Sequence, residues 1–570
     1  MTAGINYPAS PLSPLPLLCP VTYLILSTVT VTQAMRPIEK QDPLKELTAP
    51  LDNLLQIAKD FCKTYHHLAL NSSAQFLPTP ITGLPDGREK GKFLALDLGG
   101  SNLRVGIVEL FGEVTVRGSI PGTEESRSDV SGPVSPSPST QSLPLVTGPG
   151  LGLSESDAPR FRIAPSSTWA IPDYLKSMHA EALFDWVGEC VASVIRAYLS
   201  QCSEDVAEKT IHEGLSLGVT FSFPMIQSSH TSALLMPMGK GFTFSTTNDL
   251  ATLLTNAYTK QRTMSGEGVK LPKVEVVAIT NDSISTLLAG GYVHRGNATV
   301  GVILGTGTNA TCLCPVGKLA DFKKPTQSAD ATHVLLNTEW SINGTLPPME
   351  RYVTKWDKIL DTGNEKPGFQ PLEEMVAGRY LGEIVRLVSL DILGRERAEL
   401  PPQFNKPYAV ETKLCAEVEG ESRPEKVVEI LKSYFRDTGA SWDWDTTSAT
   451  TFKKICKTVS NRAAALVAAA TVGILGVNDD LGLSIPRTTP SGEEVDDVII
   501  CFTGTVLERY PYFQERCQQY MEQVTEQLYE EQAVSGVKSA HQRKVRLVEA
   551  KDGGIIGAAV LAAMVKAGRI

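Results

Sequence analysis

Two short segments of this sequence have the composition of a phosphate cradle. They are Asp97-Leu98-Gly99-Gly100-Ser101-Asn102 and Leu304-Gly305-Thr306-Gly307-Thr308-Asn309, one in each half of the chain. Glycines at such turns let backbone N–H groups come close to an anion, and flanking hydroxyls add donors. An ordinary hairpin turn would use the same residues. Neither segment is a P-loop, because GxxxxGK[ST] does not occur, and neither opens a helix as the dinucleotide-binding GxGxxG does. Asp97 could hold a magnesium ion through water, since hard divalent cations take oxygen ligands beside phosphates. The third candidate is Asn281-Asp282 in AITNDSIS. A carboxylate at a strand-to-helix junction can cap the helix N-terminus. It can equally stand at the carboxyl end of a strand in an open α/β sheet and take a proton from a substrate hydroxyl.

The elements that must position these residues are legible in the apolar pattern. KFLALDLGGSNLRVGIVEL and ATVGVILGTGTNATCLCPV each read as two apolar runs about a Gly-rich turn, which is a β-hairpin. VEVVAITNDSISTLLAGGYV reads as a strand running into a helix, and LSLGVTFSFPM as a buried strand ending in a loop. The spacing over 44–70 predicts one amphipathic helix, and AEALFDWVGECVASVIRAYL predicts another. TFKKICKTVSNRAAALVAAATVGIL predicts a long helix with an Ala-rich face, DDVIICFTGTVLERYPYF a strand ending at Gly504, and KDGGIIGAAVLAAMVKAG a Gly-led terminal helix. Strands alternate with helices across two similar halves, which is an α/β pattern.

Composition bounds what this framework serves. The chain has 570 residues, 42 % of them hydrophobic, which is ample for a buried core and fits two to four domains. With 53 basic and 63 acidic residues the net charge is −10, and no Lys/Arg run exceeds a pair, so nothing marks a nucleic-acid binder. Ten scattered cysteines form no CxxC pair, which argues against a disulfide scaffold or a zinc ribbon and for a reducing compartment such as the cytoplasm. No charged side chain precedes Arg36, and Leu15–Val31 is apolar but broken by Pro16 and Pro20. Residues 1–40 read as a disordered leader, or as a start displaced from Met35, against a weak apolar anchor on a membrane such as the mitochondrial outer surface. Residues 119–159 are rich in Ser, Gly and Pro and read as a disordered insertion, with Ser135-Pro136 and Ser137-Pro138 as candidate phosphorylation steps.

DLGGSNLRVGIVEL, LGVTFSFP, TNDSISTLLAGGY, LGTGTNATC, NTEW, EEMVAGRYLGEIVRL, VSNRAAAL and GAAVLAAM occur in the order found in eukaryotic-type hexokinases and glucokinases. The chain resembles that family from about residue 44 to its end, outside the insertion. The resemblance implies a two-lobed actin/Hsp70-like ATPase fold. Its small domain would lie within 41–240, and 241–570 would form the large domain with the terminal helix, the two enclosing a sugar cleft. It implies an ATP-dependent kinase acting on glucose, fructose or mannose and feeding glycolysis, with ATP and Mg²⁺ as cofactors and no protein-bound metal site. Oligomeric state stays open. Asp282 resembles the general base that takes the proton of the sugar 6-hydroxyl. Ser222, Lys240, Asn281, Asn309, Glu339 and Glu373 match the sugar-binding positions. Asp97, Gly99, Gly100, Ser101, Asn102 and Arg104 match the first phosphate segment, Gly305, Thr306 and Gly307 the second, and Gly504 with Thr505 the adenosine segment.

Three places depart from the family pattern. Met238-Gly239 stands where Trp-Thr usually precedes Lys240, and a lost threonine hydrogen bond costs ~0.5–1.5 kcal/mol of sugar affinity. Ser341-Ile342-Asn343 replaces a small-residue turn after NTEW, which predicts a shift of Glu339. Ile555-Ile556 stands where a glycine and a lysine are usual, and β-branched residues tolerate neither positive φ nor close approach to a ligand, which predicts weakened ATP binding. Two readings follow: a hexose kinase of reduced efficiency, and a hexose-binding regulatory protein that phosphorylates poorly or not at all. On the first, restoring glycine and lysine at 555 and 556 should raise turnover.

Overall fold

The computed structural model describes residues 42–112, 159–236, 242, 248–264, 270–324, 330–396, 400–436, 442–479, 497–535 and 543–570. The leader at 1–40, the insertion up to residue 158, and Met238, Gly239 and Lys240 lie outside them. Residues 43–570 form one compact unit built on two open sheets of the same plan.

In the first sheet, β1 (Lys90–Leu98), β2 (Asn102–Phe111) and β3 (Phe161–Ala170) form an antiparallel meander, and β4 (Leu215–Phe221) and β5 (Val274–Thr280) add in parallel beside β1. The second sheet repeats this with β6 (Ala298–Leu304), β7 (Thr308–Pro315) and β8 (His333–Asn337) as the meander, and β9 (Asp497–Thr503) and β10 (Lys544–Glu549) in parallel beside β6. A two-residue strand, Leu77–Pro78, edges β8. Both Gly-rich segments are therefore the hairpin turns expected of them.

The inner strands are apolar on both faces because both faces are covered. Leu94, Leu96 and Leu98 of β1 enter one core with α2 (Ala180–Gln201) and α3 (Leu250–Met264), whereas Phe93 and Ala95 enter a second core that lies between the sheets. That middle core is built mainly from α4 (Asp282–Val293) and the terminal helix, α9 (Gly553–Lys566). The outer face of the second sheet is covered by α1 (Leu54–Asn71), α5 (Pro371–Val376), α6 (Gly378–Glu396), α7 (Thr446–Asp479) and α8 (Phe513–Val534). The 34-residue α7 is long and apolar enough to cross a membrane, yet its apolar stretch is buried in this core. Its Arg462, fully buried, makes a two-pronged ion pair with Asp357 at 2.8 Å on each oxygen. The nine described cysteines are all free.

The single helix expected over 44–70 is interrupted. One α-turn at Lys45–Thr48 passes into a 3₁₀ stretch at Ala49–Asn53 before α1 begins at Leu54. Pro50 is the cause: it has no N–H for the i−4 bond and its ring crowds the preceding turn, which the tighter 3₁₀ geometry accommodates.

Candidate active site

Five of the candidate segments gather because they follow the carboxyl ends of strands that pair in parallel, where open α/β sheets bind ligands. Gly99 follows β1, Ser222 follows β4, Asn281 follows β5, Gly305 follows β6 and Gly504 follows β9. Lys551-Asp552, just past β10, joins the same rim.

At Asn281-Asp282 the capping falls to the asparagine. Asn281 is the cap: its Oδ1 accepts from the Ile284 N–H at 2.9 Å and from the Ser283 hydroxyl at 3.2 Å. Asp282, the first residue of α4, uses Oδ1 to accept from the Ser283 N–H at 2.9 Å, and its Oδ2 takes no hydrogen bond among the described residues. The start of α4 is fixed to both sheets. Ser283 Oγ meets Thr311 Oγ1 of β7 at 2.5 Å, and Ser285 Oγ meets Thr220 Oγ1 of β4 at 2.5 Å. Asn309 shares the Thr311 face of β7, because side chains two apart on a strand point the same way.

On the second sheet, Asn309 donates through Nδ2 to Asn337 Oδ1 at 2.8 Å and, at 3.4 Å, to Glu339 Oε1. Asn337 Nδ2 donates to the same Glu339 oxygen at 2.7 Å. Glu373 Oε2 accepts from the Thr308 N–H at 2.9 Å, which ties this carboxylate to the second turn, and Trp340 Nε1 donates to Thr308 Oγ1 at 3.1 Å. Thr306 stands exposed at the tip of that turn. Behind it, Gly305 abuts Gly504 and Thr505. Gly504 is required there: its φ is 121°, and a Cβ would lie 2.4 Å from the Leu304 carbonyl oxygen.

On the first sheet, Asp97 sits in an acidic setting. Arg104 donates to Asp552 Oδ1 at 2.5 Å, and Gly554 packs so closely on Asp97 that a Cβ would fall 2.3 Å from Oδ2. The Asp97 side chain is partly exposed, and the Gly554 backbone covers one side of its carboxylate. Desolvation foremost, then repulsion from Asp282 and Asp552 against the attraction of Arg104, pushes the Asp97 carboxyl up to about 7. An ordinary aspartate titrates at 3.8, so ionisation of Asp97 penalises the fold increasingly as pH rises from about 4 through 7, and not at all below that window. Asp97→Asn removes the penalty. Its thermal midpoint should exceed wild type near pH 8 and converge on it near pH 4; equal gains at both would show that the charge is not the cause.

Lys240 lies outside the described residues, and the other sequence-predicted residues are brought to this rim. Asn337, Asp552 and Gly554 were not singled out from sequence, although NTEW and KDGG already contained them. Ile555 and Ile556 do not behave as expected. The residue with positive φ is Asp552, at 55°, and both isoleucines lie within α9, buried in the core shared with α4. The close approach belongs to position 554, where a glycine stands. The steric argument against ATP at 555 and 556 therefore fails.

One Hexokinase family model matches residues 39–292 and a second matches 299–564. The chain is 27 % identical over 480 residues to Hexokinase-2 of Homo sapiens, covering 82 % of this chain and 43 % of that protein. It is 25 % identical over 555 residues to Glucokinase-1 of Saccharomyces cerevisiae, covering 91 % and 94 %. The chain thus spans less than half the length of the Hexokinase-2 relatives and nearly all of the yeast glucokinase. The solved hexokinase from Schistosoma mansoni complexed with glucose shares its fold, with a TM-score of 0.61, 23 % identity, and coverage of 92 % of this chain and 99 % of that one.

Proposed function

Because this chain belongs to the hexokinase family, we propose that it transfers the terminal phosphoryl group of ATP to the 6-hydroxyl of glucose or a related hexose. The observation that carries this is the start of α4, where Asn281 does the capping and Asp282 Oδ2 is left over on the rim beside Asp97. A cap alone would need only one of the two.

The donor chemistry fits a magnesium–nucleotide. Asp282, Asp552 and the Arg104 guanidinium all act on Asp97, and desolvation together with the repulsion of the two carboxylates holds it short of full ionisation. Asp97 would hold Mg²⁺ through water, the turns at Gly99–Asn102 and Gly305–Gly307 would hold phosphates, and Gly504 with Thr505 would face the adenosine. When bound, magnesium–ATP supplies the phosphoryl group and neutralises charge that builds during transfer.

The chain's own residues do the rest. Glu339 and Glu373 accept hydrogen bonds from sugar hydroxyls, and their charge makes those bonds roughly twice as strong as neutral ones. Asn309 and Ser222 orient the ring from β7 and β4. Asp282 Oδ2 takes the 6-hydroxyl proton as the oxygen attacks. The test is a coupled assay with ATP and glucose, fructose or mannose. Glu339→Gln should raise the hexose KM about tenfold with the ATP KM little changed, as expected when a charged hydrogen bond becomes neutral. Turnover indistinguishable from an Asp282→Ala control would refute the proposal.

A further inference from the structure

Glu339 holds an uncommon backbone, with φ at 46° in the left-handed region that non-glycine residues enter only when their surroundings enforce it. The enforcing group comes from far away in sequence. Gln75, 2 % exposed, donates through Nε2 to the Glu339 carbonyl at 2.9 Å and to Thr345 Oγ1 at 3.0 Å, with a longer reach of 3.4 Å to the Ile342 carbonyl. These three acceptors bracket the segment that begins at Glu339 and includes Ser341-Ile342-Asn343. The next residue, Phe76, adds its N–H to the Thr338 carbonyl at 3.0 Å.

Gln75 is itself pinned. Buried Lys323 donates through Nζ to the carbonyls of Gln75 at 2.7 Å, Phe76 at 3.2 Å and Leu68 at 2.9 Å, the last near the end of α1. Gly344 lies so close that a Cβ would meet Gln75 Oε1 at 2.0 Å, so the amide has no room to turn away. Glu339 is therefore gripped twice, at its carboxylate by Asn337 and Asn309 and at its backbone by Gln75.

We propose that Gln75 is a positioning residue for hexose recognition: its side-chain amide fixes the left-handed backbone of Glu339 and so aims that carboxylate at the sugar. This rests on the reading that Glu339 binds hexose. It gives the substituted turn at 341–343 a specific support from the N-terminal part of the chain.

The test uses the full chain and Gln75→Met, which keeps the volume and removes both donors. Glucose affinity by calorimetry and the hexose KM should weaken about tenfold, since small misplacements of a positioned group are costly. The ATP KM and kcat should each stay within about twofold, because the acceptor oxygens and the base are untouched. Thr345→Val, which removes one acceptor of the same amide, should weaken glucose about threefold and stands in if Gln75→Met does not fold. Wild-type glucose affinity in whichever variant folds would overturn the proposal. So would a parallel rise of the glucose and ATP KM, which marks general loosening. Glu339→Gln separates the two levels. If it leaves glucose affinity unchanged, the functional reading falls and this inference with it. If it weakens glucose while Gln75→Met does not, only the positioning role falls.

Discussion

Asp282→Asn is expected to lower kcat by about 100- to 10,000-fold, the contribution of a positioned proton acceptor, while glucose affinity stays within about twofold. Asparagine keeps the shape of aspartate and an oxygen for the Ser283 N–H, but its remaining side-chain atom cannot take a proton at neutral pH. The fold should survive, because the capping bond to the Ile284 N–H belongs to Asn281 and the anchors to the two sheets belong to Ser283 and Ser285. Steady-state turnover together with glucose calorimetry reads both halves of the expectation. A variant that binds glucose and turns over like wild type would remove Asp282 from the chemistry. Loss of glucose binding along with turnover would make its role structural.

The same substitution has a second readout. Repulsion from Asp282 helps hold the Asp97 carboxyl up near 7. Neutralising residue 282 should therefore lower the pKa of Asp97 and reduce the alkaline loss of stability derived for it. The effect is independent of any turnover, so it reports whether the two carboxylates share one electrostatic site.

How much of this could be read from the sequence depends on how local the signal is. Both hairpins were legible, because an apolar run, a glycine pair and a second apolar run form a complete local pattern. The strand-to-helix step at Asn281 was equally local. Which of two adjacent polar residues caps the helix was not, since both aspartate and asparagine favour that position and only the bonds distinguish them. Pro50 lay in plain view inside the expected helix, yet the apolar spacing around it concealed the 3₁₀ break. Gln75 carried no signal at all: the acceptors of its side-chain amide stand beyond residue 338, and nothing in its own neighbourhood marks a buried amide. The misjudgement at Ile555-Ile556 has a related cause. A one-position offset along α9 exchanges a residue that faces the site for one that faces the core, and the aligned pattern of letters does not reveal the helix's rotation.

That offset turns the expected benefit of restoring glycine and lysine into an expected loss. Ile555 is 3 % exposed and Ile556 2 %, both in the core that α9 shares with α4. Removing a buried isoleucine side chain costs about 2–5 kcal/mol through lost transfer energy and the cavity left behind. Lysine at 556 must also take its ammonium out of water or force the helix to shift to keep it wet. The double variant should therefore lower the thermal midpoint strongly, and the single Ile556→Lys should account for about half of the loss or more. Turnover with ATP should fall with it, because α9 begins where Gly554 backs Asp97 and where the Gly554 carbonyl accepts from Thr220 Oγ1 at 2.8 Å. Thermal melts with and without glucose, read beside the coupled assay, decide the matter. A variant that melts like wild type and turns over faster would mean that these side chains face the nucleotide after all. A less stable variant with a reduced rate would show that residues 555 and 556 serve the site by packing α9 against α4, the helix whose first residue is Asp282.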